Sequence, residues 1–318
     1  MQASPRWTTV DWLCAGYALL TGALIALRHE HIHAPWSLLA AHLGILAFMA
    51  ALPPRGAAWE QPKPGESIVR FVLREVVRYL RYGYPLLLVI FFFEEVERTI
   101  LSVWPTYWFE PLLYQADRAT FGVEPAVALS AWQSPWLDEL MHFFYSTYYY
   151  ILIGGSGAAW FIGYKRTGRA PGPGYALSMT SVVAAFLCAF IWYPWIPARG
   201  PWENPQLMAG LPPFQGFYFQ RLIEAIIAGG AVSGGCFPSG HVAGSWGMTF
   251  GLWPYHWRTA SVFGFFAAGM SIACVYTRYH HAVDVAAGLA AAVAGFAIAR
   301  AVVRPKPPPR RSFSAPPG

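Results

Sequence analysis

Charge is scarce in this sequence. Asp, Glu, Lys and Arg make up 12% of its 318 residues, against about 25% in a typical soluble domain, so an ordinary water-soluble fold is excluded. The net charge of +6 does not point to nucleic acid. Most basic residues fall between apolar runs and near the C-terminal end, where orientation in a membrane accounts for them. Cysteine is rare as well: Cys14, Cys188, Cys236 and Cys274 contain no C-x-x-C pair, which excludes a disulfide framework and a cysteine zinc site. Cys236 reads as a small filler. No G-x-x-x-x-G-K-[ST] run exists, so Gly229-Gly230 and Gly234-Gly235 read as turns, not as a nucleotide loop. No small-x-small cleavage pattern closes the first apolar run, which is therefore a span and not a signal peptide.

Apolar residues dominate, at 56% hydrophobic and 17% aromatic. Apolar runs of helical length recur, and the fold class they predict is all-α: a polytopic membrane helix bundle of about eight spans. The expected spans are Trp12 to Leu27, Trp36 to Leu52, Tyr84 to Trp104, Leu137 to Tyr164, Tyr175 to Ile196, Val242 to Trp253, Thr259 to Tyr276 and His281 to Val303. Val242 to Trp253 is short for a span, so its helix is expected to start inside the bilayer. Three divisions follow. Residues 1–83 hold two spans and an amphipathic helix, residues 84–304 a six-helix core, and residues 305–318 a Pro- and Arg-rich disordered tail.

Local patterns refine this outline. His29-Glu30-His31-Ile32-His33 has the spacing of a metal tract but reads as solvated polar residues of a loop. Ser67 to Tyr82 carries Arg70, Arg74, Arg78 and Arg81 on one face and reads as a helix on the anionic leaflet. Glu94 and Arg98 are spaced i, i+4 inside span three and are expected to pair, or else to hold a polar headgroup. Pro105 to Pro135 is expected to be a loop with aromatic anchors, and Lys165 to Arg169 a basic turn. Pro201 to Phe237, with a short apolar helix inside it, is long enough to be a lid. Arg6, the basic stretch Arg55 to Arg81, Lys165 to Arg169, Arg258 and the C-terminal cations fall on one side of an eight-span chain. The positive-inside rule makes that side cytoplasmic.

The chemistry concentrates between Gly235 and Gly288. His241 and His280 flank an apolar helical hairpin that returns the chain to the face it left, so the two imidazoles can meet there. His280 and Asp284 are spaced i, i+4, which lets the carboxylate orient the ring. Ser239 and Gly240 open a helix, where free N–H groups favour an anion. Arg278 and Arg199 add fixed charge. This set fits phosphoryl transfer with His280 as nucleophile and His241 as acid and base. His281 points away from His280 and is given no role. His241, His280 and Asp284 could hold a metal by residue type, but two nearby arginines would repel it, so no metal is assigned.

Phe237-Pro238-Ser239-Gly240-His241 and Thr277-Arg278-Tyr279-His280-x3-Asp284 resemble signatures of the type 2 phosphatidic acid phosphatase superfamily. The second signature is intact as Pro238 to His241. The third has Thr277 in place of Ser and a compact spacing similar to the inositol phosphorylceramide synthase branch, which Asp117 to Gly122 also resembles. The first is represented by Arg199-Gly200-Pro201, with Trp192 where the family has Lys. The resemblance spans roughly residues 84–304. It implies the same catalytic roles for His280, His241 and Asp284; the expected substrate contacts are Arg199, Arg278, Ser239 and Gly240, and a phosphate held by arginine and backbone amides requires no cofactor. The expected substrate is a lipid phosphate or phospholipid in the plasma (inner) membrane of a bacterium, and the asymmetry of the basic loops puts Arg199, His241 and His280 on the non-cytoplasmic face.

Three functions stay open at this point. One is hydrolysis of a lipid phosphate or polyprenyl diphosphate. Another is transfer of a phosphorylated headgroup to an alcohol such as ceramide or a glycerolipid. The third is a non-catalytic scaffold or transporter. Water and an alcohol attack the same phosphohistidine, so the sequence does not separate the first two.

Overall fold

A computed structural model describes residues 7–56, 58–167, 171–230 and 232–303. The tail 305–318 and part of the basic turn Lys165 to Arg169 lie outside them. Ten helices carry the architecture: α1 (Thr9–Leu27), α2 (Pro35–Ala51), α3 (Ile68–Glu94), α4 (Glu110–Phe121), α5 (Pro135–Thr167), α6 (Pro173–Phe190), α7 (Tyr218–Gly230), α8 (Gly240–Leu252), α9 (Trp257–Tyr276) and α10 (Ala282–Val302). No strand is present among the described residues, only one isolated bridge between Ala198 and Gly235.

Four helical segments are long and apolar enough to cross a membrane: Thr9–Leu27, Ile68–Thr99, Trp257–Tyr276 and Ala282–Val302. Pro35–Ala51 and Gly174–Phe190 are apolar but shorter. The expected count of about eight is thus met by four on length and composition. Helix α8 has only 13 residues, and α5 is rich in tyrosine. Large apolar side chains such as Leu19, Leu43, Leu87, Ile153, Phe265 and Val293 are exposed on the helix faces, as lipid contact requires.

The packing centre is α6 with α8 and α10. Gly244, Gly247 and Gly251 on α8 face Phe186, Ala185, Ser181 and Ser178 on α6, and Ser181 donates a hydrogen bond across to the Gly247 carbonyl at 2.7 Å. Small residues let backbones approach where the hydrophobic effect does not drive association. Helix α9 packs along α5, and α7 lies on α5 as well.

Several boundaries differ from expectation. The amphipathic segment and span three form one 27-residue helix, α3, which continues through Pro85 and across residues 83–84. Arg70 is exposed, but the other three arginines do not form a bare basic stripe: Arg74 pairs with Glu66 and Glu75, Arg78 with Glu60 and Glu75, and Arg81 donates to the Pro53 carbonyl. Glu94 and Arg98 are not paired in this arrangement. Arg98 donates to Ser37 at 3.3 Å, and the neighbouring Glu95 forms a buried pair with His42 of α2 at 3.0 Å. Helix α6 stops at Phe190, not Ile196, because Pro194 cannot donate to a continuing ladder. The segment Pro105 to Pro135 is not a simple loop; it contains α4.

Candidate active site

The hairpin α8–α9 leaves from and returns to one end of the bundle, and α10 starts there. Ser239 caps α8, its hydroxyl accepting the Val242 N–H at 3.4 Å. Its own N–H donates to the Asp284 carbonyl at 3.1 Å. This turn approaches α10 at Gly288, where a Cβ would lie 2.6 Å from the Ser239 carbonyl oxygen; only glycine allows that approach. The α9–α10 link is held by the His280 N–H donating to the Cys274 carbonyl at 3.0 Å, with Arg278 in the left-handed region at φ 68°.

These constraints bring the two histidines together, with ring centroids 5.6 Å apart. His280 is almost fully buried. Its Nδ1 faces Asp284 Oδ2 at 3.5 Å and the Cys236 sulfur at 3.3 Å, while Nε2 lies 3.2 Å from the Ser239 hydroxyl. One ring nitrogen is thus directed to the carboxylate and the other to the helix start. Asp284 is itself held: Oδ2 accepts the His281 N–H at 2.7 Å and the Cys236 thiol at 2.7 Å. His241 Nε2 lies 3.1 Å from the Tyr145 hydroxyl, and Tyr148 packs against the ring at 4.4 Å.

Both histidines and Gly240 line a cavity of about 300 Å³. Its walls are aromatic and apolar: Tyr145, Tyr148, Tyr149, Phe186, Phe190, Tyr193, Trp202 and Tyr279, with Ile226 and Ile227 from α7. Glu94 and Glu203 also reach it. Burial pushes the Glu203 carboxyl up, against the lowering effect of its bonds from Ser233 and Gly200. Among the described residues, no lysine or arginine lines the cavity.

The arginines expected to bind substrate are placed elsewhere. Arg278 is 1% exposed; its Nη2 donates to Gln133 at 2.7 Å and to the Pro212 carbonyl at 3.0 Å, and the guanidinium stacks over Phe214. Burial lowers its pKa from the usual arginine value, partly offset by Asp138. Arg199 pairs with Glu110 and stacks over Trp108. The backbone around Arg199 does reach the site, because the Trp202 N–H donates to the Arg278 carbonyl at 2.9 Å and Gly200 sits against the Tyr279 carbonyl with no room for a Cβ. Trp192, in the family's lysine position, is half exposed.

Two participants were not legible as such in the sequence. Cys236 is not a passive filler but a hydrogen-bond donor to Asp284; burial, then the adjacent carboxylate, keeps its thiol protonated. Asp117, far upstream, accepts the N–H groups of Ala282 and Val283 at 3.0 and 2.9 Å and so caps α10 just after His280. An aspartate before an apolar run is a common cap signal, but here the run it caps is 165 residues away.

Searches of curated proteins and of solved structures returned no match. The sequence profile of the PAP2 superfamily matches residues 111–298, more than half of the chain and including Ser239, His241, His280 and Asp284. The protein therefore belongs to the PAP2 superfamily, whose members are phosphatases.

Proposed function

We propose that this integral-membrane protein transfers a phosphoryl-type group from a lipid phosphate or phospholipid headgroup through a covalent phosphohistidine on His280. The observation that carries the reading is the two-sided environment of the His280 ring: Asp284 at Nδ1, and Ser239 with the α8 start at Nε2, with His241 across the same cavity. The carboxylate stabilises the cation that forms when Nε2 attacks phosphorus. His241 gives a proton to the departing oxygen and takes one from the attacking hydroxyl in the second step. The Gly240 and His241 amides and the Ser239 hydroxyl hold phosphoryl oxygens at the positive end of α8. Tyr193, whose buried hydroxyl lies against Gly240 at the start of α8, stands on the cavity wall to supply a further donor. Arg199, paired with Glu110, and Arg278, bonded to Gln133 and Pro212, contribute by fixing the backbone around the cavity.

Residues 84–304 form the catalytic unit in this reading, α1 and α2 flank it, and the chain crosses the bilayer about eight times with the site on the non-cytoplasmic face. The compact third signature and the covering segment Pro201 to Phe237 favour headgroup transfer over simple hydrolysis. Trp202, Glu203, Ile226, Ile227 and Val232 of that segment line the cavity and shield the intermediate from water. The test supplies purified protein with radiolabelled phospholipid or lipid phosphate, with and without a long-chain alcohol. Label in an acceptor product that depends on the alcohol is expected. Free phosphate alone, from a monoester or diphosphate donor and regardless of acceptor, assigns a lipid phosphatase instead. No turnover of any of these donors removes the enzymatic reading.

A further inference from the structure

We propose that Asp117, Glu124 and His281 form a binding site for one divalent metal ion, best matched by zinc, which fastens the segment after α4 to the start of α10. The site lies one residue from His280 but does not line the cavity, and the proposal does not rest on the phosphoryl-transfer reading. All three side chains are buried: Asp117 and His281 are 0% exposed and Glu124 is 6% exposed. One donor atom from each lies within 4.8 Å of the others. His281 Nδ1 is 3.7 Å from Asp117 Oδ2 and 3.6 Å from Glu124 Oε1. Those separations exceed hydrogen-bond length, and both Glu124 oxygens and both His281 nitrogens have no hydrogen-bond partner among the described residues. Buried polar atoms are rarely left that way.

Metal coordination explains the spacing. Zinc sits about 2.0–2.2 Å from imidazole nitrogen and carboxylate oxygen, so neighbouring donors of a tetrahedron stand roughly 3.3–3.6 Å apart. Charge agrees: two carboxylates and a neutral imidazole carry the two negative charges that a divalent ion cancels, whereas a proton on the imidazole leaves one uncancelled. Asp117 is oriented from behind, its oxygens accepting the Ala282 and Val283 amides, as metal-binding carboxylates usually are. A second cluster, Cys236, His280 and Asp284, is equally tight, but there the thiol and the His281 N–H already donate to Asp284 at 2.7 Å. Hydrogen bonds thus already occupy Asp284 Oδ2 and tie the sulfur to His280 Nδ1 at 3.3 Å, and Asp284 Oδ1 is the one atom of that carboxylate without a partner among the described residues.

The experiment uses full-length protein purified in detergent without a histidine tag, dialysed against zinc chloride and then against buffer. Elemental analysis should find about one zinc per chain in the wild type and in Cys236→Ala, and at least tenfold less in Glu124→Gln. Chelator should lower the melting temperature of the wild type and leave that of Glu124→Gln unmoved. If Glu124→Gln does not fold, cobalt substitution of the wild type decides. Weak d–d bands without thiolate charge transfer support oxygen and nitrogen donors, and a thiolate band overturns the assignment. Less than a tenth of an equivalent of zinc in the wild type, or metal lost from Cys236→Ala but kept by Glu124→Gln, also overturns it. The first of those outcomes leaves His281 as an imidazolium between two carboxylates.

Discussion

His280 and His241 differ in what surrounds them, and that difference assigns their roles. Asp284 and Cys236 stand beside His280 Nδ1, whereas His241 meets the Tyr145 hydroxyl and the rings of Tyr145, Tyr148 and His280. His280→Ala should abolish every product, because His241, the other histidine lining the cavity, has a tyrosine hydroxyl and not a carboxylate beside its ring nitrogen. His241→Ala should lower kcat by about 10²–10⁴-fold, the usual contribution of a positioned proton donor, and least for donors with an acidic leaving group; steady-state kinetics on two such donors checks this. The arginines divide differently from what their motif positions suggest. Removing Arg278, with its bonds to Gln133 and Pro212 and its stacking on Phe214, should cost about 1.5–3 kcal/mol of stability. Arg199 has a side chain 41% exposed in its pair with Glu110, and its loss should cost less than about 1 kcal/mol. Thermal denaturation of both alanine variants in detergent compares them; equal destabilisation would show that Arg278 is not held as described.

At the scale of elements, α7 is the piece whose placement depends on one side chain. Glu139, in the first turns of α5, accepts the N–H groups of Phe217, Tyr218, Phe219 and Gln220, which are the donors that a helix start leaves unpaired. The neighbouring Asp138 accepts the Gln215 N–H at 2.8 Å and the Tyr276 hydroxyl at 2.6 Å. The start of α7 is thus anchored to α5, while Ile226, Ile227, Gly230 and Val232 line the cavity. Glu139→Ala should weaken the start of α7 by about 0.5–2 kcal/mol, the range for losing a cap. Hydrogen exchange of the 217–221 amides reads that out directly. Their exchange should accelerate while the α8 amides keep their protection; unchanged exchange at 217–221 would mean that packing against α5, not the carboxylate, holds the helix.

For the whole molecule, orientation is the open physical question, and the ends of the helices give it a sharp form. Single cysteines placed at Gln215 and at Gly168 should label from opposite sides of a sealed vesicle, Gln215 from the outside; labelling of both from one side would refute the eight-span arrangement. Much of this protein was legible in its sequence. Scarce charge and long apolar runs determine a helical membrane protein, since a bilayer requires backbone groups to be satisfied within a segment. The spacing of His241, the hairpin, His280 and Asp284 determines that two imidazoles and a carboxylate share one end, because helix periodicity is local. The tertiary structure decided what depends on long-range approach. It turned Arg278 toward Gln133 and Phe214 and Arg199 toward Glu110, set Glu95 and not Glu94 into an ion pair, joined the amphipathic segment to α3, and brought Cys236 to Asp284 and Asp117 to the start of α10. A side chain's partner in a low-dielectric interior is the nearest group able to satisfy it. Which group is nearest follows from how α6, α8 and α10 pack, and no local pattern of residues records that.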